Sequence, residues 1–201
     1  MAELGRDLER ERRAASRACG TCSLCCTILR VEELAKPAGR DCLHQRGVQG
    51  CAIHATRPPI CRAYRCLWLQ GGLEDDERPD RTGGVVDLET MGVGLRLAIR
   101  EAWPGAFDAS PALQAIAERH RGSMPVRISD TGDPMDPDRP FRVLLADGVE
   151  QRVAGDRIEV YREGVRVETR RLPWLERVVR SIGNAWRRRR LRRLSDAGTR
   201  R

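Results

Sequence analysis

The sequence is poor in aromatic residues and in lysine, and it has no long apolar run. Phe, Trp and Tyr make up 4% of its 201 residues, and Lys36 is the one lysine among 37 basic residues. No segment reaches the ~18 apolar residues of a membrane-spanning helix, and the polar N-terminus lacks the apolar core of a secretory signal. We therefore expect a cytoplasmic protein, in a reducing compartment where structural disulfides are rare.

Cysteine is absent after residue 66, although the chain holds eight cysteines. Clustered cysteines in a reducing compartment indicate a metal site. Each of them is therefore a candidate metal ligand: Cys19, Cys22, Cys25, Cys26, Cys42, Cys51, Cys61 and Cys66.

Four of these cysteines fall within eight residues, in the motif CGTCSLCC at residues 19–26. The C-x2-C-x2-C spacing of Cys19, Cys22 and Cys25 lets three sulfurs converge on one centre, as in the loops of bacterial ferredoxins that hold a 4Fe–4S cluster. Cys26 directly follows Cys25, and two neighbouring residues rarely aim at one ion. The pair therefore indicates a second site or a bridging role in a larger cluster.

Two familiar cysteine motifs do not fit. A zinc ribbon has two separated C-x2-C pairs, whereas the later cysteines are separated by eight, nine and four residues. The C-x3-C-x2-C motif of radical SAM enzymes would need a cysteine at Leu29. His44 and His54 lie inside the segment and could be ligands, although eight thiols already suffice for two four-coordinate sites.

The run RPPICRAYRC, residues 57–66, contains the last two cysteines. Its two prolines favour a helix start. On a continuous helix Cys61 and Cys66 would be about 140° apart, so they face one ion only if the helix breaks. Arg57 and Arg62 could offset the negative charge of thiolates, or they could be ordinary surface arginines.

Together these pieces resemble the YkgJ-type cysteine-cluster family, whose domain is described as a zinc- or iron-chelating CxxCxxCC domain. The matching pieces are CGTCSLCC, DC, GCAIH, RPPICR and the final cysteine, over residues 19 to about 69. The resemblance carries over to all eight cysteines and to Arg57, Pro58 and Arg62. His54 stands where the family pattern leads us to expect an aromatic residue. The same domain occurs in a flagellin lysine N-methylase that resembles iron–sulfur-dependent enzymes.

The rest of the chain predicts an α+β fold. Alternating apolar residues predict strands near 85–88, 95–100, 126–128 and 141–145, and a hairpin at 158–167. Ser110 and Pro111 predict the start of a helix that runs to about Arg121, and the Pro/Asp-rich run at 129–140 predicts a loop. Residues 73–84 are charged and contain Gly and Pro, which predicts a linker or long loop.

We therefore expect three parts. They are a metal-stapled cysteine-cluster domain at 1–72, a small α+β domain with an antiparallel sheet at 85–172, and a basic C-terminal amphipathic helix and tail at 173–201. The tail carries most of the formal net charge of +8, because residues 170–201 hold 12 arginines against Glu176 and Asp196, a net of +10. An apolar face from Trp174 to Trp186 favours a helix docked on the protein. The arginines at 187–193 could contact an acidic partner, a lipid headgroup or the phosphates of a nucleic acid.

Three functions are consistent with these observations. The first is a metal-binding protein whose iron–sulfur cluster, with 4Fe–4S the first choice, or whose zinc serves redox, sensing or metal handling. The second is an adaptor module with a purely structural zinc site, because a short segment of this kind rarely folds without a staple. The third is an iron–sulfur-dependent protein-modifying enzyme resembling a methyltransferase, although the sequence carries no dinucleotide-binding, hydrolase or P-loop motif.

Overall fold

The computed structural model describes residues 2–91, 94–130 and 139–199 as an α+β protein. In this part of the chain the α-helices are α1 Ala2–Ser16, α2 Leu24–Ile28, α3 Pro59–Ala63, α4 Pro79–Thr82, α5 Ala106–Ala109, α6 Pro111–Arg121 and α7 Trp174–Thr199. The strands are β1 Gly84–Met91, β2 Gly94–Glu101, β3 Val126–Ser129, β4 Phe141–Leu144, β5 Val149–Ala154, β6 Arg157–Arg162 and β7 Val165–Arg171. Short 3₁₀ turns lie at Glu32–Leu34, Gly47–Gln49, His54–Thr56 and Asp75–Glu77.

The seven strands form one sheet whose spatial order follows the chain, from β1 to β7. Five neighbouring pairs are antiparallel, as the sequence predicts, but β2 and β3 are parallel. Parallel neighbours need a crossover connection, and α5 and α6 supply it. Of the predicted loop at 129–140, residues 131–138 lie outside the described residues.

Helix α6 begins where the sequence predicts. The Ser110 hydroxyl accepts a hydrogen bond of 3.3 Å from the Leu113 amide, and Pro111 occupies the first turn. Leu113 and Ile116 are fully buried against the sheet. Strand β5 was not predicted, because Glu150, Gln151 and Arg152 interrupt the apolar alternation in its middle.

The segment predicted as a linker or long loop, 73–84, is not an exposed linker, because it is partly buried and contains two short helical turns. Leu73 is 1% exposed and Thr82 is 4% exposed. A capping box between Glu74 and Glu77 opens the turn Asp75–Glu77, and α4 follows directly. Many side chains of this segment are charged, so its composition alone does not indicate these local contacts.

One hydrophobic core joins the cysteine-rich segment to the sheet. Ile28, Cys66 and Leu67 lie in the same cluster as Val85 and Val86 of β1. The Leu67 amide also donates a hydrogen bond of 2.8 Å to the Val86 carbonyl. The division into domains at 1–72 and 85–172 stays a prediction, but the two segments share their buried interior.

Helix α7 confirms the predicted C-terminal helix as far as Thr199, but its apolar face is not docked. Trp174 is 68% exposed, Ile182 is 68% exposed and Trp186 is 64% exposed. The preference for a docked face is therefore wrong. Across the described residues, no helix is both long enough and apolar enough to cross a membrane.

Candidate metal centre

The cysteine-rich segment is built from turns and single helical turns. The amide of Cys22 donates to the Cys19 carbonyl at 2.9 Å, which closes the first C-x2-C turn. Gly20 adopts φ +55° in that turn, a conformation that side chains disfavour. Helix α2 then places Cys25 and Cys26 at successive positions, about 100° apart around the helix axis. The two side chains start in different directions, yet their thiols remain close enough to interact with each other.

Side-chain hydrogen bonds hold the loop of the middle cysteines against α2. The Thr27 hydroxyl donates to the Asp41 carboxylate at 2.7 Å, and the Gln45 amide donates to the Ser23 hydroxyl at 3.0 Å. Gln45 also pairs with Cys51 in an isolated β-bridge. These contacts bring both Cys42 and Cys51 to the side of α2.

The last two cysteines are separated by the end of a helix. Cys61 lies within α3, which ends at Ala63, and Tyr64 continues in an extended conformation. Cys66 then enters the hydrophobic core, where it is 7% exposed, whereas Cys61 is half-buried. The break predicted as the condition for a shared ion is present, but it sends the two thiols to different places.

Electrostatic neighbours place Cys66 and Cys61 in two different groups of thiols. Burial raises the pKa of the Cys66 thiol to about 11, and charge on Asp87, Cys22 and Cys19 adds to the increase. The pKa of Cys61 is also raised, first by burial and then by Cys26, Cys42 and Cys51. Cys66 and Cys61 therefore sense different partners.

Cys25 belongs with the first of these groups. Its pKa is raised, first by the hydrogen bond to Cys26 and by burial, and then by charge on Cys26, Cys19 and Cys22. We call Cys19, Cys22, Cys25 and Cys66 the inner set, and Cys26, Cys42, Cys51 and Cys61 the outer set. The two sets meet at Cys26, which interacts with Cys25 and also raises the pKa of Cys19.

Cys26 has the most favourable environment for a thiolate. The hydrogen bond from Cys25 lowers the pKa of Cys26 to about 7 against the opposing effect of burial, and the charges of Lys36 and Arg57 lower it further. Arg57 also lowers the pKa of Cys19, where the larger effect is burial, which raises it. Arg57 thus compensates charge in both sets, whereas Arg62 is exposed.

Lys36 is a residue of the site that the sequence interpretation missed. It is 6% exposed, and its ammonium donates to the carbonyl of Thr27 at 2.8 Å and to that of Leu29. Burial lowers the pKa of Lys36, while the nearby Cys42, Cys26 and Cys25 raise it. The available signal was composition: a single lysine in a chain that otherwise uses arginine marks a position that needs a compact cation.

The histidines are less well placed than the thiols to bind a metal. His54 is exposed and His44 is half-buried, and His120 lies on α6 as predicted, with its Nδ1 2.8 Å from the Ile116 carbonyl oxygen. Over residues 2–91, 94–130 and 139–199, no group of three or more Cys, His, Asp or Glu side chains is gathered tightly enough to hold a metal ion. All eight cysteines are free thiols, so the donors that a thiolate-ligated metal requires are present.

The donor chemistry fits two kinds of metal group. Four thiolates are the ligands of both structural zinc and iron–sulfur clusters, and each set supplies four. Lys36 and Arg57 add the positive charge that a thiolate cluster needs.

A search of protein-family models, of curated proteins and of solved structures finds no match to this chain. The resemblance to the YkgJ-type family therefore stays a prediction from the cysteine motif.

Proposed function

We propose that this chain is a metal-binding protein of the YkgJ-type cysteine-cluster kind, and that it holds metal in the inner and outer sets of four thiolates. The observation that carries the proposal is the separation of Cys61 from Cys66. Charge on Cys26, Cys42 and Cys51 raises the pKa of Cys61, whereas charge on Cys22 and Cys19 raises the pKa of Cys66. Eight thiols that divide four and four match the coordination number of a tetrahedral ion or of a 4Fe–4S cluster.

An iron–sulfur cluster is the preferred occupant. The C-x2-C-x2-C turn matches the loops of ferredoxins better than zinc knuckles. An iron–sulfur cluster would supply one-electron redox chemistry at this site, which zinc does not offer. The chain's own contribution would be to fix the thiolates and to compensate their charge through Lys36 and Arg57.

A purely structural zinc role is the alternative, and the position of Cys66 favours it. This thiol is part of the core that also contains Val85 and Val86 of β1. Metal bound at the inner set would tie the cysteine-rich segment to the sheet, and binding would then contribute directly to folding.

Purification without oxygen, followed by elemental analysis and visible spectroscopy, tests the metal. We expect brown protein that contains iron and sulfide and bleaches with dithionite. Colourless protein with stoichiometric zinc from iron-replete cells would contradict the iron–sulfur assignment and support the structural alternative.

Paired substitutions test the two sets. Cys42→Ser with Cys61→Ser removes two ligands of the outer set, and we expect it to lose about half of the metal. Cys19→Ser with Cys61→Ser removes one ligand from each set, and we expect it to lose nearly all. Equal losses in the two double variants would show one shared centre and contradict the division. Arg62→Ala is the control, because this side chain is exposed and should leave the metal content unchanged.

A further inference from the structure

The first half of α7 has one wide apolar face. Six large apolar side chains lie within an arc of about 140° on the helix, from 3.6 residues per turn. They are Trp174, Leu175, Val178, Val179, Ile182 and Trp186. All six are between 47% and 68% exposed.

The side of α7 that meets the rest of the protein is the polar side. Asn184, which lies roughly opposite the centre of the apolar arc, is 9% exposed. The Arg177 guanidinium reaches the Asp156 carboxylate at 3.4 Å, and the Leu172 amide before the helix donates to the Asp156 carbonyl at 2.9 Å. The helix is thus held with its apolar face directed outward.

The charge around this face is strongly positive. Six of the seven residues at 187–193 are arginine, directly after Trp186, and residues 170–201 carry a net charge of +10. A helix with exposed Trp, Ile and Val on one face, followed in the sequence by a run of arginines, has the pattern of helices that lie in the interface of a bilayer. A basic cluster of this size attracts anionic lipids.

We propose that α7 binds the surface of an anionic lipid bilayer, with the arc from Trp174 to Trp186 inserted at the headgroup boundary. Trp174 and Trp186, the first and last of the six residues along the chain, suit that boundary, where one side of a tryptophan ring is apolar and the other is wet. Nucleic acid would use the arginines but leave the apolar arc uncovered. A second copy of the chain would bring two segments of net charge +10 together, which like-charge repulsion opposes.

The test uses the full-length protein and vesicles of two compositions. One is phosphatidylcholine alone, and the other contains about one third phosphatidylglycerol, which adds negative surface charge. We expect sedimentation with the anionic vesicles, a blue shift of tryptophan fluorescence, and weaker binding as salt increases. Failure to bind the anionic vesicles, or equal binding to neutral ones, would overturn the proposal.

A matched pair of double variants distinguishes binding through the apolar face of α7 from nonspecific binding through other exposed apolar residues. Val178→Ser with Ile182→Ser removes apolar surface from the arc, and we expect vesicle affinity to fall at least about tenfold. Val165→Ser with Val167→Ser changes two exposed residues of β7, which are 66% and 59% exposed, and should bind as the wild type does. Equal binding by both double variants would overturn the proposal. The proposal would also be overturned if the protein bound no vesicles but formed an oligomer that the α7 double variant disrupts. Metal content should be unchanged in both variants, which keeps this test independent of the proposed metal centre.

Discussion

The guanidinium of Arg17 lies 4.6 Å from the centroid of the Trp68 ring. The same group donates to the Trp68 carbonyl at 2.7 Å and to the Leu73 carbonyl at 2.8 Å, and it pairs with Asp75 at 2.5 Å. Arg17 comes two residues before Cys19, and its side chain is 4% exposed. Arg17 therefore ties the residues just before the cysteine cluster to the segment that follows it, which contains Trp68, Leu73 and Asp75.

Replacing this clamp should be costly. Arg17→Met keeps an apolar stem but leaves the carbonyls of Trp68 and Leu73 without a donor, and we expect the free energy of unfolding to fall by about 3 kcal/mol. Urea unfolding followed by circular dichroism measures the loss. Arg12→Met, at an exposed position of α1, is the control and should change stability by less than about 0.5 kcal/mol. Similar losses in both variants would mean that Arg17 is not a clamp.

Gly71 marks the closest approach of α1 to the chain that follows the cysteines. Its φ is +74°, and a Cβ there would lie 2.1 Å from the Arg10 carbonyl oxygen and 3.0 Å from the Ala14 amide nitrogen. Gly71→Ala should therefore displace α1 and lower stability by about 2 kcal/mol or more. Faster amide hydrogen exchange over 2–16 would identify the displaced element. Gly122→Ala, at a helix end with φ −73° and open space around it, should be neutral; an equal loss there would contradict the packing argument.

Lys36 should resist its apparently conservative replacement. Its buried ammonium is shared by the carbonyls of Thr27 and Leu29, and a planar guanidinium does not fit that position as a compact cation does. We expect Lys36→Arg and Lys36→Met both to lower thermal stability and to speed loss of metal to a chelator. Arg40→Met, an exposed neighbour, serves as the control. If Lys36→Arg retained metal as the wild type does, any positive charge would be sufficient at this position, and the argument from a compact cation would be wrong.

Tyr64 and Asp87 link the end of the cysteine segment to β1, and their bond should make stability depend on pH. The Tyr64 hydroxyl donates to the Asp87 carboxylate at 2.5 Å. Arg100 donates to the same oxygen at 2.7 Å, and Glu89 is the neighbouring carboxylate. Burial raises the pKa of Asp87 above its ordinary value, against the hydrogen bond from Tyr64 and the charge of Arg100, which lower it.

The sign follows from the direction of that shift. A carboxyl whose folded pKa is raised contributes most to stability below its unfolded pKa, and the contribution is lost as pH rises through the folded value. Tyr64→Phe removes a bond to the charged form and raises the pKa of Asp87 further. The variant should therefore lose about 1–2 kcal/mol at neutral pH and less in acid. Urea unfolding at neutral pH and in acid measures this difference. If the loss of stability were the same at both pH values, Tyr64→Phe would act through packing and not through the charge of Asp87.

Local patterns predicted the regular elements well. Ser110 and Pro111 mark the start of α6, and the alternation of Leu95, Leu97 and Ile99 marks β2. These signals depend on neighbours in the chain, which the sequence displays directly. Strand β5 and the parallel pairing of β2 with β3 depend on what the adjacent strands bury, and no local pattern encodes that.

The cysteine motif predicts the residue types of the candidate metal centre, and that assignment stays a prediction, but the motif does not predict how the thiols are arranged. The motif CGTCSLCC and the adjacent pair of cysteines indicated more than one centre. Which thiols join Cys26 depends on the loop held by Asp41 and Gln45, whose contacts with Thr27 and Ser23 span 14 and 22 residues. The outward apolar face of α7 escaped prediction for a different reason. An amphipathic pattern predicts that the apolar face of a helix is covered, but it does not specify what covers it.

The order of the sheet has a consequence for synthesis on the ribosome. Each strand pairs with the strand that precedes it in the chain, so β1 to β7 can be added one after another as they emerge. The strands that fill the interior come first, since Val85, Leu97 and Val126 are fully buried, and every residue of β7 is exposed. The cysteines precede them all. The nascent chain can therefore present its full complement of thiols, and the strand β1 against which Leu67 pairs, before the outer half of the sheet and the basic helix have left the exit tunnel.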